Sequence, residues 1–227
     1  MKQSKAIEPA FAKGRPNSIP QYWAVETIDD YLAALASEKP TPGGGSAATI
    51  VAALGAALVA MVARITLANA KMIERHDLAQ QLVARADALR SELHAARQND
   101  ERAYAQVVAA MQQPRETSEQ KAARSAALQA ALREAAAAPL HAAALSLRTL
   151  ELAERSLALE NSNLSSDIGC AAEFATSALE ASALNVRINH KFLQDHALVA
   201  AQERELCAYE KDAAAARERV RVALSSL

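Results

Sequence analysis

Apolar positions recur along this chain every three or four residues, the spacing of helices, from residue 27 nearly to the end. Thr27 stands as an N-cap, and Ile28, Tyr31, Leu32 and Leu35 predict a short amphipathic helix ending near Ser37. Pro40 and Pro42 forbid helix until Gly43, Gly44 and Gly45 have passed. From Ala47 to Ala70 the pattern changes, because both sides are apolar. Ala48, Ala52, Gly55, Ala56 and Ala60 make one face small, while Ile50, Val51, Leu54, Leu58, Met61, Val62 and Ile65 make the other large. A helix apolar all round is normally enclosed all round. One chain of this length has few elements to do that, so a two-fold homodimer is expected, with Ala52, Ala56 and Ala60, or Leu54, Leu58 and Met61, meeting their own copy.

A long third helix is predicted over 73–111. Its stripe runs Leu78, Leu82, Ala86, Leu89, Leu93, Ala96, then Asp100, then Ala103 or Tyr104, Val107 and Met111. Asp100 therefore falls on the face meant for burial. An ionised carboxylate there costs several kcal/mol unless paired or hydrogen-bonded, so it is either a structural ion pair or the site of chemistry. Gln112, Gln113 and Pro114 end this helix, and Thr117 to Gln120 has the form of a capping box. Arg124 then shares a stripe with Leu128, Leu132 and Ala135, and is a candidate partner for Asp100. Pro139 kinks this fourth helix or starts a new one that runs to about Leu159. After a polar junction from Glu160 to Asp167, a fifth helix turns inward Ile168, Ala171, Ala175, Ala178, Ser182, Asn185 and Asn189. Two amides one turn apart on a small apolar face suit a flat polar ligand or a neighbouring helix. A charged last helix over 195–224 reads as a solvated cover.

The 227 residues suffice for one core. Residues 25–227 are expected to form a single domain, with 1–24 a loosely ordered arm. Aromatic residues are 4% of the chain and alanine is the commonest residue, which favours closely packed helices and disfavours sheet. The expected fold is thus all-α: an antiparallel bundle of long helices around a central buried alanine-rich helix, in a dimer. Net charge is −1, which supplies no field to attract nucleic acid or an anionic membrane, and neither is expected as a partner. Cys170 and Cys207 stand far apart without metal spacing, which points to reduced thiols in a cytoplasmic protein. The five histidines form no HExxH and no pair at i and i+4, so no metal is expected.

The candidate chemistry lies at Thr41-Pro42-Gly43-Gly44-Gly45-Ser46. Glycine admits positive φ and close approach of a ligand to the main chain, and the helix start behind it offers unpaired N–H groups. The same residues also suit a tight turn and nothing more.

Pro42 to Ser46, followed by Gly55-Ala56-Ala57-Leu58, Met61-Val62 and Thr66, resembles the signature of the formiminotransferase-cyclodeaminase family: its cyclodeaminase domain and the free-standing methenyltetrahydrofolate cyclohydrolases similar to it. The likeness continues at Asp100 with Ala103-Tyr104, at Arg124, at Ala138-Pro139-Leu140, at Asn161, at Ser166-Asp167 and from Asn185 to Asn189, and covers about residues 27–195. It implies a dimeric helical enzyme acting on a one-carbon unit carried by tetrahydrofolate, the folate being substrate and no cofactor being held tightly. It would make Asp100 the catalytic carboxylate and place Gly43, Gly44, Gly45 and Ser46 in the folate site. Pro42, Arg124, Asp167, Asn185 and Asn189 are further candidates for binding substrate. Hydrolysis of 5,10-methenyltetrahydrofolate to 10-formyltetrahydrofolate is the activity expected. Formimidoyltetrahydrofolate cyclodeamination is the alternative, and a helical scaffold without chemistry a third reading. Gln98 stands where the family often shows a second acid, which leaves one acid for proton work. Leu67 to Ala70 replaces basic residues, which puts binding of a polyglutamate tail in question.

Overall fold

The computed structural model describes residues 27–225. They form six α-helices and no strand: α1 (Ile28–Leu35), α2 (Gly44–Ala68), α3 (His76–Met111), α4 (Ser118–Ser156), α5 (Ser165–His190) and α6 (His196–Leu224). The chain divides into two units, Met1–Glu38 and Lys39–Leu227. Of the first, α1 alone is described; the arm expected over 1–24 lies outside the described residues. Capping boxes open α1, where the Thr27 hydroxyl oxygen accepts from the Asp30 N–H, and α4, where Thr117 does the same for Gln120.

In the second unit α2, α3, α4 and α5 form an antiparallel four-helix bundle. Cross-helix pairs fix the directions. Ser46 meets Glu101 near one end of α2 and Arg64 meets Asp87 near the other, so α2 and α3 run oppositely. Arg148 with Glu92 and Arg155 with Gln81 do the same for α3 and α4. α6 lies on α4 and α5, held at its rim by Arg217–Glu173 and Arg219–Glu154 pairs, while Leu206, Ala213, Ala216 and Val220 turn inward. Such exposed pairs contribute about 0–1 kcal/mol each. The buried leucines, Leu82, Leu89 and Leu93 among them, each contribute about 1.5–3 kcal/mol.

α2 is the one helix among the described residues long and apolar enough to cross a membrane, and here it packs on α3, α4 and α5. Its small face, Ala52, Ala56 and Ala60, is consumed inside the chain and is at most 1% exposed. At Gly55 an added Cβ would sit 2.9 Å from the Ala171 carbonyl oxygen and 3.2 Å from Thr149 Cγ2, so α2, α4 and α5 approach at a spacing only glycine permits there. Within the described part of the second unit the large face is left open: Leu54, Met61 and Ile65 remain 49%, 36% and 43% exposed. Pro139 starts no new helix. α4 runs through it without a break from Ser118 to Ser156.

Candidate active site

At the end of the bundle where α2 begins, helices α2 to α5 and the turn before α2 enclose a cavity of about 380 Å³. The turn explains one of the three glycines, Gly45. Gly43 is the N-cap and carries no side chain to satisfy the first-turn N–H groups. The cap is supplied from another helix, since the Ser46 N–H donates to the Asp100 carboxylate on α3. That contact brings the carboxylate against Gly45, where a Cβ would lie 2.5 Å from Oδ1 and 2.6 Å from Oδ2. Glycine is required there for space. The expected use of positive φ is not found: no described glycine has it, and Gly43 itself is extended at φ −125°.

Ser46 also uses its side chain, donating its Oγ hydroxyl to Glu101 Oε1 at 2.9 Å. One buried serine thus joins two successive carboxylates. Burial pushes the Asp100 carboxyl above the ordinary carboxylate range, the neighbouring Glu101 charge adds to this, and the Ser46 N–H opposes both. Asp100 is the sole carboxylate among the described residues lining the cavity.

Opposite the turn, α5 brings Asn185 and Asn189 into the lining, with Asn185 Nδ2 3.6 Å from where a Gly44 Cβ would be. The amide hydrogens are largely committed. Asn185 Nδ2 donates to the Ala181 carbonyl at 2.8 Å, and Asn189 Nδ2 to the carbonyls of Ala135 at 2.7 Å and Asn185 at 2.9 Å. Since these partners only accept, the orientation of both amides is determined, and Asn189 has only its oxygen left to offer. The remaining wall is apolar: Val107 and Met111 from α3, Leu128 and Leu132 from α4, and Ile188 on α5 with Phe192 beyond it. Tyr104, Met111, Ile188 and Phe192 are 41%, 55%, 47% and 62% exposed, so the wall opens to solvent. No group of three or more His, Cys, Asp or Glu side chains fit for a metal occurs among the described residues.

Residues 27–208 match the family model described as formiminotransferase-cyclodeaminase. The chain belongs to this family. It is 38% identical over 195 residues to a methenyltetrahydrofolate cyclohydrolase of Methylorubrum extorquens, an alignment covering 86% of this chain and 94% of that protein. It is 30% identical to the formimidoyltransferase-cyclodeaminase of Mus musculus, over 79% of this chain but 34% of that longer protein. Among solved structures, the formiminotetrahydrofolate cyclodeaminase of Thermotoga maritima superposes with a TM-score of 0.79 at 26% identity, covering 88% of this chain and 96% of that one.

Not every candidate residue read from the sequence lies in the cavity. Gly43, Gly44, Gly45, Asp100, Asn185 and Asn189 line it; Pro42, Ser46, Arg124 and Asp167 do not. Ser46 lies behind the wall, occupied by the two carboxylates. Arg124 is not the partner of Asp100: its Nε and Nη2 donate to the Met111 carbonyl, ending α3 roughly 16 Å along the helix from Asp100. Asp167 sits in the first turn of α5, roughly 27 Å along that helix from Asn185. Gln98 is exposed and hydrogen-bonds His94, so an acid there would point away from Asp100. The second acid is Glu101, whose position one residue on from the buried stripe gave no periodic signal. Ile188 and Phe192 were also missed, because exposed apolar residues at a helix end look like ordinary surface.

Proposed function

We propose that this family member hydrolyses 5,10-methenyltetrahydrofolate to 10-formyltetrahydrofolate, with Asp100 as the catalytic carboxylate. The observation that carries the proposal is the Asp100 carboxylate, partly desolvated and fixed by the first turn of α2, in a cavity sized for a flat heterocycle with one apolar wall and two amides. The substrate is an amidinium cation, and the paired negative charges of Asp100 and Glu101 favour it. Water adds to the bridging carbon while Asp100 takes one of its protons. The tetrahedral adduct then breaks its carbon–N5 bond, N5 gains a proton, and the formyl group stays on N10; the net change is one water consumed and one proton released. Phe192 and Tyr104 supply aromatic surface for the ring system. The amide oxygens of Asn185 and Asn189 accept from donors on the pterin.

Cyclodeamination is the second reading, supported by the likeness to the Thermotoga maritima cyclodeaminase and to the bifunctional mouse enzyme. There N10 attacks the formimino carbon and ammonia leaves, with protonated Asp100 giving the proton; its raised proton affinity suits that role too. One experiment separates them. The purified protein is mixed with 5,10-methenyltetrahydrofolate and the absorbance of that compound followed, then with the 5-formimino compound under the same conditions. Accelerated loss in the first supports the cyclohydrolase, accelerated appearance in the second the cyclodeaminase, and neither removes both.

The open stripe Leu54, Met61 and Ile65 on α2 supports a homodimer through the large face of that helix, since the small face is already used. Sedimentation should give a dimer, and Leu54→Lys a monomer; a monomeric unmodified protein at micromolar concentration withdraws the dimer.

A further inference from the structure

A buried proline sits in the middle of α4, and the helix runs through it unbroken. Residue 139 therefore offers no N–H to the carbonyl four residues earlier, that of Ala135, and its ring pushes that carbonyl off the helix axis. A buried carbonyl without a partner is costly. Here the vacancy is filled from another helix, because Asn189 Nδ2 donates to the Ala135 oxygen at 2.7 Å. Both Ala135 and Asn189 line the cavity. The second hydrogen of the same amide is held by the Asn185 carbonyl. Two acceptors fix two donors, and the Asn189 oxygen is the group left for a ligand.

We infer that Pro139 is a positioning residue for substrate: by leaving the Ala135 carbonyl free, it holds Asn189 with its amide oxygen available to an N–H donor of the ligand. The inference rests on the folate reading above and adds to it the polarity of this part of the site. A heterocycle that turns N–H groups toward Asn189 is accepted, and one that turns a carbonyl there meets another oxygen. The 2-amino group and N3–H of a pterin form such a donor edge.

Pro139→Ala tests this with a result that a purely structural proline would not give. Alanine restores the helical N–H, so the protein should melt several degrees higher. The Ala135 carbonyl then returns to the helix and Asn189 loses its anchor, so KM for 5,10-methenyltetrahydrofolate should rise about 10-fold, with kcat changed much less. In an Asn189→Ala background, where KM is already raised, Pro139→Ala should add little, because both changes act on the same contact. An unchanged KM in Pro139→Ala overturns the inference, as does a rise of equal size with and without Asn189. The unmodified protein is the control: if it turns over no folate, the activity reading fails; if it does and Pro139→Ala binds normally, only the positioning role fails.

Discussion

Gly45→Ala is the sharpest perturbation this site offers, because the added methyl group has one neighbour of consequence. It would lie 2.5 Å from Oδ1, 2.6 Å from Oδ2 and 2.7 Å from Cγ of Asp100. Ordinary contact needs about 3.5 Å, so the carboxylate must withdraw by about 1 Å. Misplacing a reacting group by that much costs about 10²-fold in rate, or about 2.7 kcal/mol of barrier. Stability should fall far less. Alanine in a first helical turn gains about 0.5–1 kcal/mol over glycine, while a displaced aspartate rotamer costs about 0.5–1.5 kcal/mol and a weakened Ser46 cap about 1 kcal/mol. Gly44→Ala is the matched control, since its methyl group would lie 3.6 Å from Asn185 Nδ2 and 3.8 Å from Oδ1, ordinary contact distances. Initial rates of methenyltetrahydrofolate loss, with thermal melts by circular dichroism, should show kcat collapsing in Gly45→Ala alone while both variants melt near the unmodified protein. A Gly45→Ala enzyme within threefold of the normal kcat would mean that the Asp100 position does not set the rate.

Asp100→Asn should lower turnover by about 10²–10⁴-fold yet raise the melting temperature at pH 8. Burial raises the folded-state proton affinity of Asp100, so its ionised form opposes folding at high pH, and that cost disappears as pH falls through the folded pKa toward the unfolded value. The stabilisation should therefore be largest at pH 8 and absent near pH 3; no gain at pH 8 would contradict it. Glu101→Gln keeps an oxygen for the Ser46 hydroxyl but removes the charge beside Asp100, so the acid limb of the kcat/KM profile should move to lower pH. An unmoved limb counts against coupling of the two carboxylates. Gly55→Ala should destabilise by about 1–3 kcal/mol without changing KM, because the methyl group meets the Ala171 carbonyl and Thr149 on two packed helices; denaturant titration measures it, and a neutral effect would show that the helices can separate there.

The helices were legible because their periodicity is local, and so were the caps at Thr27 and Thr117. Asp100 could be found because it interrupts an apolar stripe, and Asn185 with Asn189 because they fall in line on an inner face. Arg124 followed the same rule and misled: an arginine entering a stripe near a helix start can reach a carbonyl at the end of the previous helix, and the stripe does not say which. The reason for Gly45 was hidden because its demand comes from a side chain 55 residues away. The link between Pro139, Ala135 and Asn189 was hidden for the same cause. A missing hydrogen bond in one helix shows in the sequence, but the amide that replaces it belongs to another.

The exposed wall of Tyr104, Met111, Ile188 and Phe192 has a thermodynamic consequence. Without ligand it is apolar surface in contact with water, and a heterocycle seated on it removes that surface from solvent. Binding should therefore carry a negative heat-capacity change. The enthalpy of association then becomes more favourable with every degree of warming while the entropy becomes less so, and calorimetry at several temperatures would trace a sloping enthalpy even where affinity barely moves.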